Sequence, residues 1–266
     1  MTVLLRELRL FLLALQFLTR VPVPAWVGFE PALMRRSVRH YALVGLFVGA
    51  FGAGIGGAAS RLWPAAVAAA LAVAATVWLT AAFHEDGLAD TFDALLGAAP
   101  RERALAIMKD SRIGTYGAVA LVLSLLLRVL LLAELLARDR TAAAAVLMAS
   151  HAAGRSAAVA LMASLPYARS DDPDATHAKV GSVATNVSTA DALVAAAPGL
   201  LALVCAAWVQ GAPVAGAAAA ALLAGLVLLM RHWLRSRLQG HTGDTLGATE
   251  QMGEIAVLLL FAAKVV

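Results

Sequence analysis

Between His84 and Asp93 the chain reads His-Glu-Asp-Gly-Leu-Ala-Asp-Thr-Phe-Asp, four carboxylates in nine residues of a sequence that is 61% hydrophobic and 14% charged. On a helix, Asp86, Asp90 and Asp93 stand at i, i+4 and i+7 and share one face, with Leu88 and Phe92 turned elsewhere. Carboxylates this close repel one another. The face must be solvated, share protons or surround a divalent cation. Solvation is the ordinary account in a soluble protein, but ionisable groups at the end of an apolar span are costly and mark function, so a Mg2+-type site is expected.

Three further polar islands interrupt the apolar sequence. Met108-Lys109-Asp110-Ser111-Arg112-Ile113-Gly114-Thr115-Tyr116-Gly117 sets a carboxylate between two cations, an arrangement suited to a phosphate and its metal. A positive flank at the start of a span is the plainer account of Lys109. His151 and Arg155 share one helix face in an apolar segment and favour an anion contact over a pair satisfied by backbone carbonyls. Arg128 has no motif around it and reads as structural. Gly240-His241-Thr242-Gly243-Asp244-Thr245-Leu246-Gly247-Ala248 could cradle a phosphate at a helix start, with Asp244 adding a metal ligand, or Thr242 or Asp244 could simply cap the helix. Glu250 and Glu254, at i and i+4 beyond it, are expected to face the same polar cavity.

The elements that must position these groups are transmembrane helices. With 266 residues and a mean hydropathy of +0.81, the chain reads as an all-α, polytopic helical bundle, residues 1–266 forming one integral membrane domain. Seven spans are expected at about 40–60, 64–83, 115–136, 141–165, 189–209, 212–230 and 246–265, each near the roughly 20 residues that cross a bilayer. The first segment, with Arg6, Glu7, Arg9 and Gln16, reads as an amphipathic helix at the membrane surface, since Thr19 to Pro24 offers no small-residue cleavage site. Stretches such as Gly45 to Gly57 and Ala215 to Ala224 suit close helix approach in lipid, although alanine-rich filler explains them equally well. Cys205 is the single cysteine, which argues against disulfides and a cysteine-ligated zinc.

Lys and Arg residues divide the loops between two sides. Arg20, Arg35, Arg36, Arg39, Arg101, Arg103, Lys109, Arg112, Arg169, Lys179, Arg231, Arg235 and Arg237 fall on one side, against Arg61, Arg138, Arg140 and Lys264 on the other. The first side is therefore expected to be cytoplasmic, and it carries residues 84–93, 109–112, 166–188 and 239–245 together. That distribution, rather than nucleic-acid binding, accounts for the formal charge of +4. A hard cation held by carboxylates beside basic residues would bind a diphosphate and favour displacement at phosphorus. The residues alone leave open a phosphotransferase acting on a nucleotide-activated alcohol or a transporter with acidic gates.

Phe83 to Asp93, Arg101 to Gly117 and Gly240 to Ala248 resemble the signature segments of the cobalamin synthases, the adenosylcobinamide-GDP ribazoletransferases. Phe17-Leu18-Thr19-Arg20-Val21-Pro22-Val23-Pro24, Gly154-Arg155-Ser156 and Leu165-Pro166-Tyr167-Ala168-Arg169 also match, so the likeness runs over nearly the whole chain. Two departures stand out: Ala94 where many members carry Gly, and a 170–179 loop rich in Asp and His. The resemblance implies that adenosylcobinamide-GDP and α-ribazole, or its 5′-phosphate, give adenosylcobalamin, or its 5′-phosphate, and GMP with Mg2+, at a bacterial inner membrane.

On that footing Asp86 and Asp90 are the expected first metal ligands, with Glu85, Asp93, Asp110 and Asp244 completing one or two sites. Lys109 and Arg112 are expected to hold the diphosphate, His84 is the candidate general base, and Arg155 and His241 are weaker substrate contacts. A homo-oligomer is left open. CDP-alcohol phosphotransferases, the nearest alternative, carry an Arg soon after the Asp-Gly pair and two further Asp after a gap, an order that 86–93 lacks. A transporter is disfavoured because the polar islands open on one side and no inverted repeat is visible.

Overall fold

The computed structural model describes residues 2–169 and 187–263. Lys179, Lys264 and the Asp- and His-rich 170–179 loop lie outside them. The described residues form α1 (Val3–Leu18), α2 (Pro31–Ser37), α3 (Tyr41–Ala59), α4 (Ala65–Leu79), α5 (Phe83–Leu96), α6 (Arg101–Ile107), α7 (Thr115–Arg138), α8 (Arg140–Ser164), α9 (Thr189–Val209), α10 (Pro213–Arg237) and α11 (Gly243–Ala262). The chain is an all-α, multi-pass membrane protein.

Among the described residues, five helical segments are long and apolar enough to cross a membrane: Pro31–Ala59, which joins α2 to α3, and α7, α8, α9 and α10. A sixth is counted if α4 and α5 together make one bent span. The expectation of seven is corrected at two places. Around 64–83, α4 stops at Leu79 and the chain turns through 88° into α5. The turn is made by Ala81 and Ala82, both left-handed with φ of 58° and 56°. Fifteen helical residues rise only about 22 Å against a hydrocarbon core of about 30 Å, so α4 alone does not reach across. Over 246–265, α11 falls short in apolarity because Glu250, Gln251 and Glu254 lie within it, and all three are buried against other helices.

Helix α8 is the axis of the bundle and packs against α3, α9 and α11, while α11 also packs on α5. The α3 contact rests on glycines, as expected. A Cβ at Gly49 would lie 2.6 Å from the Met148 Cα, and one at Gly45 would collide with the His151 carbonyl, whereas Gly54 and Gly57 face open space. Without Cβ atoms the two backbones can touch, the usual way to pack helices in lipid. The N-terminal helix has one buried face, of Leu10, Leu13, Ala14, Leu15 and Leu18, and exposes Val3 and Leu4. It is tied to the bundle through Arg39, whose Nη1 donates to Glu7 at 3.1 Å and whose Nε donates to Asp191 at 2.6 Å.

Candidate active site

Helices α5 and α11 cross at glycines. A Cβ on Gly87 would sit 2.7 Å from the Asp244 carbonyl oxygen, and one on Gly247 would sit 3.2 Å from the His84 carbonyl oxygen. The Asp86-Gly87 pair and the Gly243-to-Gly247 stretch are therefore two halves of one crossing, and it brings their carboxylates together. Asp90 lies within electrostatic reach of Asp244, Asp86 and Asp93. Asp86 is exposed and Asp90 and Asp244 are half-buried, so the group opens outward. Gly87→Ala is expected to force α5 and α11 apart, lowering the thermal midpoint and cutting activity at least tenfold, since overpacking costs roughly 1–3 kcal/mol. A fully active, equally stable Gly87→Ala protein would contradict this close crossing.

The cap question at α11 is settled by Thr242. Its hydroxyl accepts from the Thr245 amide while the Thr245 hydroxyl accepts from the Thr242 amide, a reciprocal capping box. Asp244 is left to face the cluster, accepting from the Thr242 hydroxyl at 3.2 Å and standing 3.7 Å from the Arg169 guanidinium.

The other expected ligands are engaged elsewhere. Asp93 lies on the expected face, but its two oxygens accept from the Gly114 amide (2.7 Å) and the Gly117 amide (2.8 Å) at the start of α7. The free amides at the start of α7, which attract anions, are thus occupied by an internal carboxylate. Asp110 is paired with Arg112 at 2.6 Å, and the Arg112 side chain is 87% exposed. Arg112 holds the Asp110 carboxyl down at about 2. The pair stays ionised at physiological pH and is self-contained. His241 is fully buried, its backbone bonded to Pro166 and Ala168 and its ring 5.8 Å from Tyr167, so it fastens the 166–168 segment. Lys109 does line a cleft of about 370 Å³, together with Arg101 and Arg169. Arg101 donates to the Leu238 and Ala168 carbonyls and fixes one wall.

Glu85, adjacent in sequence to Asp86, points the other way into the bundle. Arg128 Nη1 donates to Glu85 at 2.7 Å and to Gln251 at 3.0 Å, and Arg128 Nη2 lies 3.1 Å from Glu254. Arg155 pairs with Glu250 at 2.6 Å and with Glu254 at 3.4 Å, and His151 closes on Glu254. Gln251 donates to Glu85 and Glu250. Every member of this network is at most 5% exposed. Arg155 is thereby an internal counter-charge as well as a cavity residue, and Arg128 has the structural role its sequence context suggested.

Among the described residues, one group of His and Glu side chains brings its possible ligand atoms together. Ligand atoms of His151, Glu250 and Glu254 lie within 4.8 Å of one another. However, Arg128 and Arg155 already neutralise those carboxylates and would repel a dication. Asp86, Asp90 and Asp244 offer hard oxygens towards the outside, and Arg169 stands 3.7 Å from Asp244. Carboxylate oxygens are the ligand type that hard divalent cations take.

The fold and site together define a polytopic membrane enzyme that carries an acidic crossing beside a basic cleft. Residues 10–262 match the family described as cobalamin-5-phosphate synthase. The chain belongs to that family. It is 51% identical over its full length to the adenosylcobinamide-GDP ribazoletransferase of Leptothrix cholodnii, covering 99% of that protein. It is 41% identical to the protein of the same name from Albidiferax ferrireducens, with 95% of this chain and 96% of the relative covered. For the Shewanella frigidimarina protein of that name the identity is 39%, with 97% and 96% covered. No solved structure matches the chain.

Proposed function

We propose that the chain is a Mg2+-dependent transferase that joins adenosylcobinamide-GDP to α-ribazole or its 5′-phosphate, releasing GMP, with its site on the cytoplasmic face of a bacterial inner membrane. The observation that carries the reading is the meeting of the acidic crossing with the basic cleft, where Arg169 and Asp244 stand 3.7 Å apart. A diphosphate spans such a boundary well.

Asp86, Asp90 and Asp244 would hold the metal, which supplies charge neutralisation and polarises phosphorus. Lys109 and Arg169 take the diphosphate oxygens, and Arg169 replaces the exposed Arg112 in that role. A ribose hydroxyl of the nucleoside attacks the phosphorus nearest the corrinoid, forming a new P–O bond. The bridging P–O bond breaks and its electron pair leaves on GMP, where basic residues stabilise the charge. His84, two residues from Asp86, accepts the hydroxyl proton.

The test is mass balance. Detergent-purified protein given both substrates and Mg2+ should release one GMP for each joined corrinoid. Folded protein that makes neither product would overturn the assignment. Arg169→Ala is expected to raise KM for the GDP-bearing substrate about tenfold, because charge-assisted hydrogen bonds contribute about 1.5–3 kcal/mol. An unchanged KM would remove Arg169 from the diphosphate site.

A further inference from the structure

A second, partly open space lies between α1, α3, α5, α8 and α11. Its walls are mainly apolar: Phe17, Phe83, Ala158, Met162 and Leu246, with Arg155 at one end. The segments of the chain that the proposed chemistry does not use converge here. Phe17 belongs to the Phe17-to-Pro24 stretch and Arg155 to Gly154-Arg155-Ser156, and they meet His84 and Gly243 from the two halves of the acidic crossing. Phe17 and Phe83 stand edge to face, 5.5 Å between ring centres. Arg155 is 2% exposed, and although its Nη1 is paired, its Nε–H has no hydrogen-bond partner among the described residues. An orphaned donor this deep is costly unless something accepts from it.

We infer that this cavity receives the heteroaromatic base of the nucleoside acceptor, with Phe17, Phe83 and Met162 around the ring and the Arg155 Nε–H donating to its unprotonated ring nitrogen. The inference rests on the transferase reading above and adds where the acceptor binds. Three considerations select this occupant. Aromatic and thioether walls suit a flat, apolar ring. A benzimidazole-type base, the kind α-ribazole carries, offers one acceptor nitrogen and otherwise only carbon, which matches a single orphaned donor. Guanine presents several donors and acceptors, most of which would go unpaired against these walls. The space is about 40 Å³ as traced by the centres of water-sized atoms, room for about three waters, so Met162 must swing aside as a ring enters. His84 and Gly243 line the same cavity, and each is next to or near an aspartate in sequence (Asp86 and Asp244). A base held here leaves its ribose at the metal-binding crossing.

Binding of α-ribazole and of GMP to the detergent-solubilised full chain separates the alternatives. Ala158→Phe, which fills the cavity, should weaken α-ribazole binding at least tenfold and leave GMP binding as in wild type. Met162→Ala, a milder change that keeps the test alive should Ala158→Phe not fold, should shift the ratio of kcat/KM at least fivefold towards nucleosides with a three-ring base over a two-ring base. The cavity assignment is overturned if Ala158→Phe weakens GMP instead of α-ribazole, or if folded variants bind and select nucleosides as wild type does. Wild type that turns over with both substrates while these variants behave identically defeats only the cavity assignment. Wild type that binds no α-ribazole at all defeats the transferase reading with it.

Discussion

Asp90→Asn is expected to lower turnover about a thousandfold or more while the protein still purifies folded, because a catalytic cation contributes several kcal/mol of charge stabilisation and 1.4 kcal/mol is tenfold in rate. Asn keeps the shape of the side chain and removes only its charge, so packing around the half-buried Asp90 is undisturbed. The loss should appear in kcat, with KM for α-ribazole little changed, since the nucleoside is held by the cavity. Asp86→Asn and Asp244→Asn should behave alike, whereas Asp110→Asn, in the exposed pair with Arg112, should stay within about threefold of wild type. Steady-state rates of GMP release for the four variants decide the matter. Comparable losses from Asp110→Asn and Asp90→Asn would mean that the catalytic carboxylates are wrongly chosen.

The largest effect on stability is expected from Arg128→Met. Arg128 sits 3% exposed between Glu85 and Glu254 and also donates to Gln251. Removing one partner of a buried ion pair leaves uncompensated charge and costs about 3–5 kcal/mol. In this bundle Glu85 would be left with Gln251 alone, a buried charge without a cation, while Glu254 would keep Arg155 and His151. The midpoint for heat-induced loss of monodisperse protein should fall by several degrees or more. Adding Glu85→Gln to Arg128→Met should recover part of the loss, because it removes one stranded charge. An Arg128→Met protein as stable as wild type would show that the network contributes nothing net.

Much of this arrangement was legible in the residues, and the exceptions have physical causes. The helix spacing of Asp86 and Asp90 placed them on one face, and Asp244 read as an added ligand in a glycine-rich stretch suited to a phosphate, whereas those glycines are where α11 meets α5. Asp93 shares that face, but at i+7 it lies about two turns further along, where it reaches the amides of Gly114 and Gly117. Glu85 was grouped with the aspartates by adjacency, although neighbouring helical positions point about 100° apart. The partners of Arg128 come from α5 and α11, and nothing local to its own span signals them. The turn after Leu79 was hidden for a different reason. Residues 65–83 run on without Gly or Pro, and two alanines adopt a backbone that alanine seldom takes. Arg169 stood in the Leu165-to-Arg169 segment of the resemblance and among the basic loop residues, and it had no assigned role until Asp244 was found beside it.

The most direct test of the central claim is Mn2+ binding, as a spectroscopic substitute for Mg2+, followed by electron paramagnetic resonance on the detergent-solubilised protein. Wild type and His151→Gln should bind the ion alike, and Asp86→Asn and Asp244→Asn should lose it. Binding that survives both aspartate changes and disappears in His151→Gln would put the metal among His151, Glu250 and Glu254 and contradict the acidic crossing as the catalytic centre.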